Sequence, residues 1–272
     1  MQKRFLSPPE IAEYFVELGR KKAEYSIVKQ LLLGIMAGAF IALACQGANQ
    51  AVHIIGYDGV GKLVAGALFA CGLMLVLIAG GELFTGNCLM IIACFEKKIK
   101  VRSMLRSWLF VYAGNFIGAL LVTVMIIASG QLNFSNGALG AFTIYVAAYK
   151  TEMNFMNAFF MGVLCNLVVC LAVWAAASAL DTAGKILAVF FPIWLFVTSG
   201  FEHSIANMYY IPAGILAKAN GYWASGLGAD VSGLTWPAFF IANLIPVTLG
   251  NTVGGVFLVG AAYWFIYLKR KK

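Results

Sequence analysis

Six long apolar runs divide this chain, and almost no charge interrupts them. They lie at roughly 30–55, 62–92, 103–129, 155–179, 185–211 and 236–268. A helix of about 20 apolar residues crosses the hydrocarbon of a bilayer, and each run reaches that length. Six crossings with short connections consume most of the 272 residues, so no second large soluble domain fits. Charged residues are 11% of the chain, where water-soluble domains carry about 25%. With a mean hydropathy of +0.87, the composition excludes an ordinary cytosolic enzyme, a disordered chain and a secreted disulfide scaffold. The expected fold is an all-α membrane protein of six transmembrane helices.

The polar residues give this fold an orientation. Six spans put both termini on one side, and sixteen of the nineteen lysines and arginines collect there. Only Lys62, Lys150 and Lys218 fall on the other side. That bias predicts cytoplasmic termini in a cytoplasmic (inner) membrane protein. It also accounts for the net charge of +8 without a nucleic-acid partner.

Residues 1–29 lack the apolar core of a signal peptide, and the run from near Leu31 reads as an uncleaved anchor. Ser7 and Glu10 form an S-x-x-E capping box with Pro8 at the first helical position. Ile11, Tyr14, Phe15, Leu18, Lys22 and Tyr25 then share one face. This segment is expected to be an amphipathic cytoplasmic helix, either a passive anchor or a gate. Residues 30–268 form the six-span domain, and 269–272 a basic cytoplasmic tail. Cys45, Cys71, Cys88, Cys94, Cys165 and Cys170 sit in or beside apolar runs, with no C-x-x-C pair. Two histidines do not complete a common zinc site with them, so they read as packing residues, with no metal and no cofactor expected.

The chain repeats itself. Glu82 and Asn87 in GGELFTGN match Glu202 and Asn207 in GFEHSIAN. A G-N-x-x-G motif follows each, at Gly114-Asn115-Gly118 and Gly250-Asn251-Gly254. Small residues precede each, at Gly34 and Gly38, then at Gly162 and Asn166. Each copy covers three crossings, and an odd number of crossings makes the copies inverted. Away from their ends the spans hold few ionisable groups beyond Glu82, Glu202 and His203, all in the matched elements. Gly80-Gly81 and Ser199-Gly200 are expected to break spans two and five, because glycine weakens a helix. Such breaks are tolerated only against protein or a water-filled path. The two glutamates can be structural, holding their loops or bridging to a neighbouring protomer. A histidine beside a break is a functional candidate.

The motifs GELFTGN, GNFIGA, GVLCN, FVTSGFEHSIANM and GNTVGG resemble the formate/nitrite transporter family over about Lys29 to Tyr267. The resemblance implies an aquaporin-like six-helix protomer, a homopentamer with one pore per protomer, and transport of formate, nitrite or hydrosulfide. Carried over residue by residue, it implies a substrate pathway of His203, Thr85, Asn166 and Lys150. His203 is the central pore histidine, Thr85 the loop threonine beside it, Asn166 the pore asparagine of span four, and Lys150 a lysine near the outer vestibule. It also implies apolar constrictions at Phe69, Leu73, Phe84, Val169 and Phe196.

An isolated charge does not cross an apolar ring cheaply. Lys150 is expected to concentrate anions at the outer mouth. His203, Thr85 and Asn166 would donate hydrogen bonds, aided by half-helix dipoles. His203 would either hold the anion as a cation or pass it a proton, so that a neutral weak acid crosses. The expected function is a pH-dependent passage for small monovalent weak-acid anions, formate first, with hydrosulfide or nitrite as alternatives. An aquaporin-like neutral-solute channel is a remote alternative, since no N-P-A motif is present. A membrane enzyme is not expected: G-x-S-x-G, H-E-x-x-H and the Walker A sequence are all missing.

Overall fold

The structure is a computed structural model that describes residues 5–225 and 230–269. Lys3, Arg4, Arg270, Lys271 and Lys272, counted above, lie outside the described residues. The described chain is all-helical, with one isolated bridge between Phe5 and Ala179.

Helix α1 (Pro8–Ala23) starts as its capping box requires, with the Ser7 N–H donating to the Glu10 carboxylate at 2.9 Å. Its buried residues are Ile11, Ala12, Phe15, Val16 and Gly19, so the stripe is rotated from the expected one and Tyr14 is exposed. Two contacts set that rotation. Phe15 stacks on Trp174 at 5.3 Å, and Gly19 lies against Ala93 and Met90. Helix α2 (Ile27–Val52) begins three residues before the expected boundary at 29/30, because the Ser26 hydroxyl caps it by accepting from the Lys29 N–H.

The second apolar run makes α3 (Val60–Gly80) and then α4 (Phe84–Phe95), interrupted at 81–83. Gly80 ends α3 with φ +98°, a left-handed conformation open to glycine and costly for other residues. Helix α5 (Val101–Ala128) follows. Next comes α6 (Ala138–Thr151), a 14-residue helix where only a connection was expected. Helix α7 (Phe155–Ser178) is capped by Asn154, much as Ser26 caps α2. The fifth run makes α8 (Thr182–Thr198) and α9 (Ser204–Lys218), with Gly200 at φ +72° between them. The last, α10 (Trp236–Tyr267), contains π-helical turns at Phe239–Leu244 and Gly254–Ala261.

Five of these helices, α2, α3, α5, α7 and α10, are long and apolar enough to cross a membrane. They leave large apolar side chains exposed, including Leu109, Leu121, Ile241 and Phe257. The small-residue motifs explain how they pack. Gly34 and Gly38 of α2 meet Gly114 and Asn115 of α5, and Gly118 of α5 meets Ile35 and Ala39 of α2. Gly162 of α7 meets Val247 and Asn251 of α10, and Gly250 of α10 meets Phe159 and Val163 of α7. These close approaches lie within one chain. The six cysteines are free thiols, and Cys45, Cys88, Cys165 and Cys170 are buried.

A Cβ at Gly38 would collide with the Asn115 carbonyl, and one at Gly250 with that of Phe159. Gly38→Val and Gly250→Val are each expected to lower stability by about 1–3 kcal/mol or more, as overpacked cores do. Thermal unfolding in detergent measures the loss. Wild-type stability in both would refute this packing.

Candidate functional site

The site is built where the two interruptions meet. Interior backbone groups freed by a break cost several kcal/mol each if left unpaired in an apolar slab. At the first break Asn115 supplies the partners. Its side-chain amide donates to the carbonyls of Gly34 at 2.8 Å and Glu82 at 2.9 Å, and its Oδ1 accepts from the Phe84 N–H at 3.0 Å. At the second break Asn251 does the same. It donates to Gly162 at 2.8 Å and Glu202 at 3.0 Å, and accepts from the Ser204 N–H at 2.9 Å. The Glu82 and Glu202 N–H groups bond to Leu33 and Met161 of α2 and α7.

Each glutamate then closes an ionic cluster. Glu82 is 3.0 Å from Lys22 Nζ and accepts from Asn87 at 2.8 Å, while Lys22 donates to Asn87 Oδ1 at 2.7 Å. Glu202 is 2.6 Å from Lys150 Nζ and accepts from Asn207 at 2.6 Å. Asn243 joins this second cluster, accepting from Asn207 and donating to the Lys150 carbonyl. The lysines come from the last turns of α1 and α6. Lys22, on the face that the sequence pattern assigns to α1, reaches inward to Glu82 and Asn87. Lys150 was expected as an anion attractor, and here much of its charge is balanced by Glu202. The glutamates hold lysines and asparagines rather than loop N–H groups.

Thr85, in the first turn of α4, and His203, the N-cap of α9, meet at 3.0 Å between Oγ1 and Nε2. His203 Nδ1 accepts from the Ala206 N–H at 3.1 Å. A neutral ring that accepts at Nδ1 carries its hydrogen on Nε2, so His203 donates to Thr85, whose own hydroxyl hydrogen stays available. Both residues are buried, and the positive ends of α4 and α9 converge on them. Asn166 stands beside them, but its amide donates to the Thr85 and Asn251 carbonyls at 3.2 and 2.6 Å. It therefore orients the site with hydrogens that are already engaged.

Two cavities lie near the pair; His203 borders the larger, and Thr85 borders neither. One of about 180 Å³, room for several waters, is bordered by His203, Lys150, Phe69, Phe196, Lys62 and Tyr210. The other, about 60 Å³, lies beneath α1 against Phe15, Lys22, Leu73 and Asn87. Phe69 and Phe196 meet edge to face at 5.4 Å, and Phe196 is 6.1 Å from the His203 ring. Leu73 is one turn from Phe69 and faces the smaller cavity. Val169 is buried and borders neither cavity, although Val173, one turn on, borders the smaller one. Phe84 also borders neither, because Trp108 and Tyr112 hold it edge to face at 5.7 and 4.9 Å.

Sequence reasoning missed several residues here. Asn243, Tyr57, Lys62 and Tyr210 enter the site only through the fold. Asn115 and Asn251 had a signal in the repeated G-N-x-x-G, which reads as helix packing until the breaks are seen beside it.

A family model described as formate/nitrite transporter matches residues 9–265. The chain is 38% identical to a probable formate transporter of Methanothermobacter thermautotrophicus, over 99% of this chain and 100% of that one. It is 39% identical to the formate channel FocA of Escherichia coli K12, over 97% and 95%. Among solved structures, a pentameric formate channel with formate bound has a TM-score of 0.79 at 37% identity, covering 89% of this chain and 98% of that one. An FNT family ion channel has a TM-score of 0.81 at 28% identity, covering 94% and 98%.

Glu202→Ala strands a buried lysine, so a loss of about 3–5 kcal/mol is expected, with part recovered in Glu202→Ala/Lys150→Met. Asn115→Leu and Asn251→Leu each orphan the two backbone groups of a break, at about 1–3 kcal/mol apiece. Unfolding of the detergent-solubilised protein reads both. Additive losses in the Glu202/Lys150 pair would rule out the coupling.

Proposed function

The chain belongs to the formate/nitrite transporter family, and we propose that it conducts small monovalent weak-acid anions, formate first, between the two cavities. As a member of that family with several long apolar helices, it is an integral membrane protein. The observation that carries the proposal is the His203–Thr85 hydrogen bond, which joins two converging helix N-termini beside the larger cavity. The substrates named for the relatives support formate as cargo.

We read the architecture as aquaporin-like, with six crossings in two inverted three-helix repeats broken in spans two and five. The matched clamps of Asn115 and Asn251 and the matched clusters of Glu82 and Glu202 support this reading. In it, α1 and α6 are equivalent lateral helices, each sending a last-turn lysine to a break. The α1 side is then cytoplasmic in the inner membrane, by the charge bias. A homopentamer is supported by the pentameric relative and by the exposed apolar band.

In this mechanism an anion reaches the larger cavity, where Lys62 stands at Gly200 near the mouth. There it already lies beside Phe69, Phe196 and His203, and it moves on to the free hydroxyl hydrogen of Thr85. His203 backs that donor while its ring is neutral. To hand a proton onward the ring must first gain one at Nδ1, which breaks its bond to the Ala206 N–H. Anion passage and acid passage therefore use two states of one ring, and low pH favours the second. Phe69 and Leu73 present apolar side chains along the way, so a neutral acid crosses them more easily than an ion. The function is a conduit rather than an enzyme.

Proteoliposome flux of formate, nitrite, hydrosulfide, chloride and glycerol at two pH values tests the proposal. Wild-type protein is expected to pass formate with a clear pH dependence. His203→Ala is expected to flatten that dependence and cut formate flux by about tenfold, the equivalent of about 1.4 kcal/mol. Passage of glycerol alone, indifferent to His203, would refute the proposal.

A further inference from the structure

Besides His203, four charged side chains border the larger cavity: Asp58, Lys62, Lys150 and Glu202. Lys150 and Glu202 neutralise each other at 2.6 Å, so their joint field fades faster with distance than that of a single charge. Of the three lysines that the charge map sets opposite the termini, Lys218 is engaged too, donating to the carbonyls of Val231 at 2.7 Å and Leu234 at 3.1 Å. Lys62 differs from both: its ammonium has no hydrogen bond and no ion pair among the described residues. Asp58 stands one helical turn earlier in the chain, and its carboxylate has no such partner either. Both residues are half-buried. Lys62 lies in the first turn of α3, where the helix dipole disfavours a cation. Its Nζ is 3.6 Å from where a Cβ on Gly200 would stand, at the second break. An unpartnered lysine at a position its own helix disfavours is not explained by local stability, and such conflicts mark functional sites.

We infer that Lys62 draws small anions into the larger cavity while Asp58 opposes it, so that this unpaired couple, rather than Lys150, sets the rate of anion entry. This rests on the reading of the chain as a weak-acid anion passage. An unpaired charge at the mouth of a low-dielectric cleft focuses field lines and raises the local concentration of the opposite ion. The N-terminal end of α3 carries the same sign as Lys62. Asp58 precedes that helix and moderates both. A neutral molecule feels none of this pull. Salt screens it, with a reach of about 30 Å at about 0.01 M and about 3 Å at about 1 M. Gly200 is three residues before His203, so an anion beside Lys62 is already at the approach to the bridge.

Lys62→Met keeps an unbranched apolar stem and removes the charge, Lys62→Arg keeps the charge, and Asp58→Asn removes the opposing one. Formate flux at neutral pH would be measured in proteoliposomes between about 0.01 and about 1 M ionic strength, set with a salt of a large anion. Elution volume and thermal unfolding of each variant accompany the flux. At the low end, Lys62→Met is expected to cut flux about tenfold, Lys62→Arg to retain it and Asp58→Asn to raise it, with all three differences fading at the high end. Wild-type flux in Lys62→Met at every ionic strength would overturn the inference alone. So would a variant that loses only thermal stability, as a lysine kept to balance the negative end of α8 would. A wild type that passes no anion would overturn both the inference and the reading it rests on. If Lys62→Met does not assemble, Asp58→Asn carries the test: higher flux than wild type at low salt supports the inference, and equal flux overturns it.

Discussion

A helix that breaks inside an apolar slab exposes peptide groups where no bulk water can bind them. Everything at the centre of this protein depends on meeting that demand twice. Asn115 and Asn251 each use one carboxamide to tie three backbone groups, two from the break and one from a neighbouring long helix. The asparagines reach the breaks because small residues let their helices approach closely at Gly34, Gly38 and Gly162. A larger side chain there would push the clamp out of reach. The freed ends of α4 and α9 can then present Thr85 and His203 to each other.

Charge follows the same logic. Glu82 and Glu202 are buried acids that would be prohibitive alone, and each is paired with a lysine from a lateral helix. The pairing locks α1 and α6 against the breaks, and it also removes most of the field that a bare carboxylate would set against an anion. On the proposed reading, a passage for negative ions can therefore contain two glutamates. What remains at the centre is polar: the Thr85 hydroxyl and the helix N-termini.

Local chemistry was legible in the sequence, and distant pairing was not. The five-residue spacing of Glu82–Asn87 and Glu202–Asn207 is within one helical neighbourhood, and both pairs bond. Glycines flagged the breaks, and Ser7 with Glu10 fixed the start of α1. The partners of the glutamates lie about 50–60 residues away in the chain, beyond the reach of any periodicity. Helix α6 escaped notice because 14 residues are too few to cross a bilayer, so Ala138–Thr151 counted as a connection. The π-helical turns of α10 carry no pattern that separates them from an ordinary helix. Asn166 and Lys150 were identified as site residues, but their bonds to the Thr85 carbonyl and to Glu202 depend on packing that only the fold supplies.

The central claim is that cargo is handed across the bridge between the two broken helices. Thr85→Val is nearly isosteric and removes only the hydroxyl that faces His203, so formate flux in this variant, measured across pH against the wild type with assembly verified, tests that claim most directly. The account predicts a loss of at least about tenfold at every pH, since one transition-state hydrogen bond in a low-dielectric site is worth that much or more. Wild-type flux with a wild-type pH profile would contradict it.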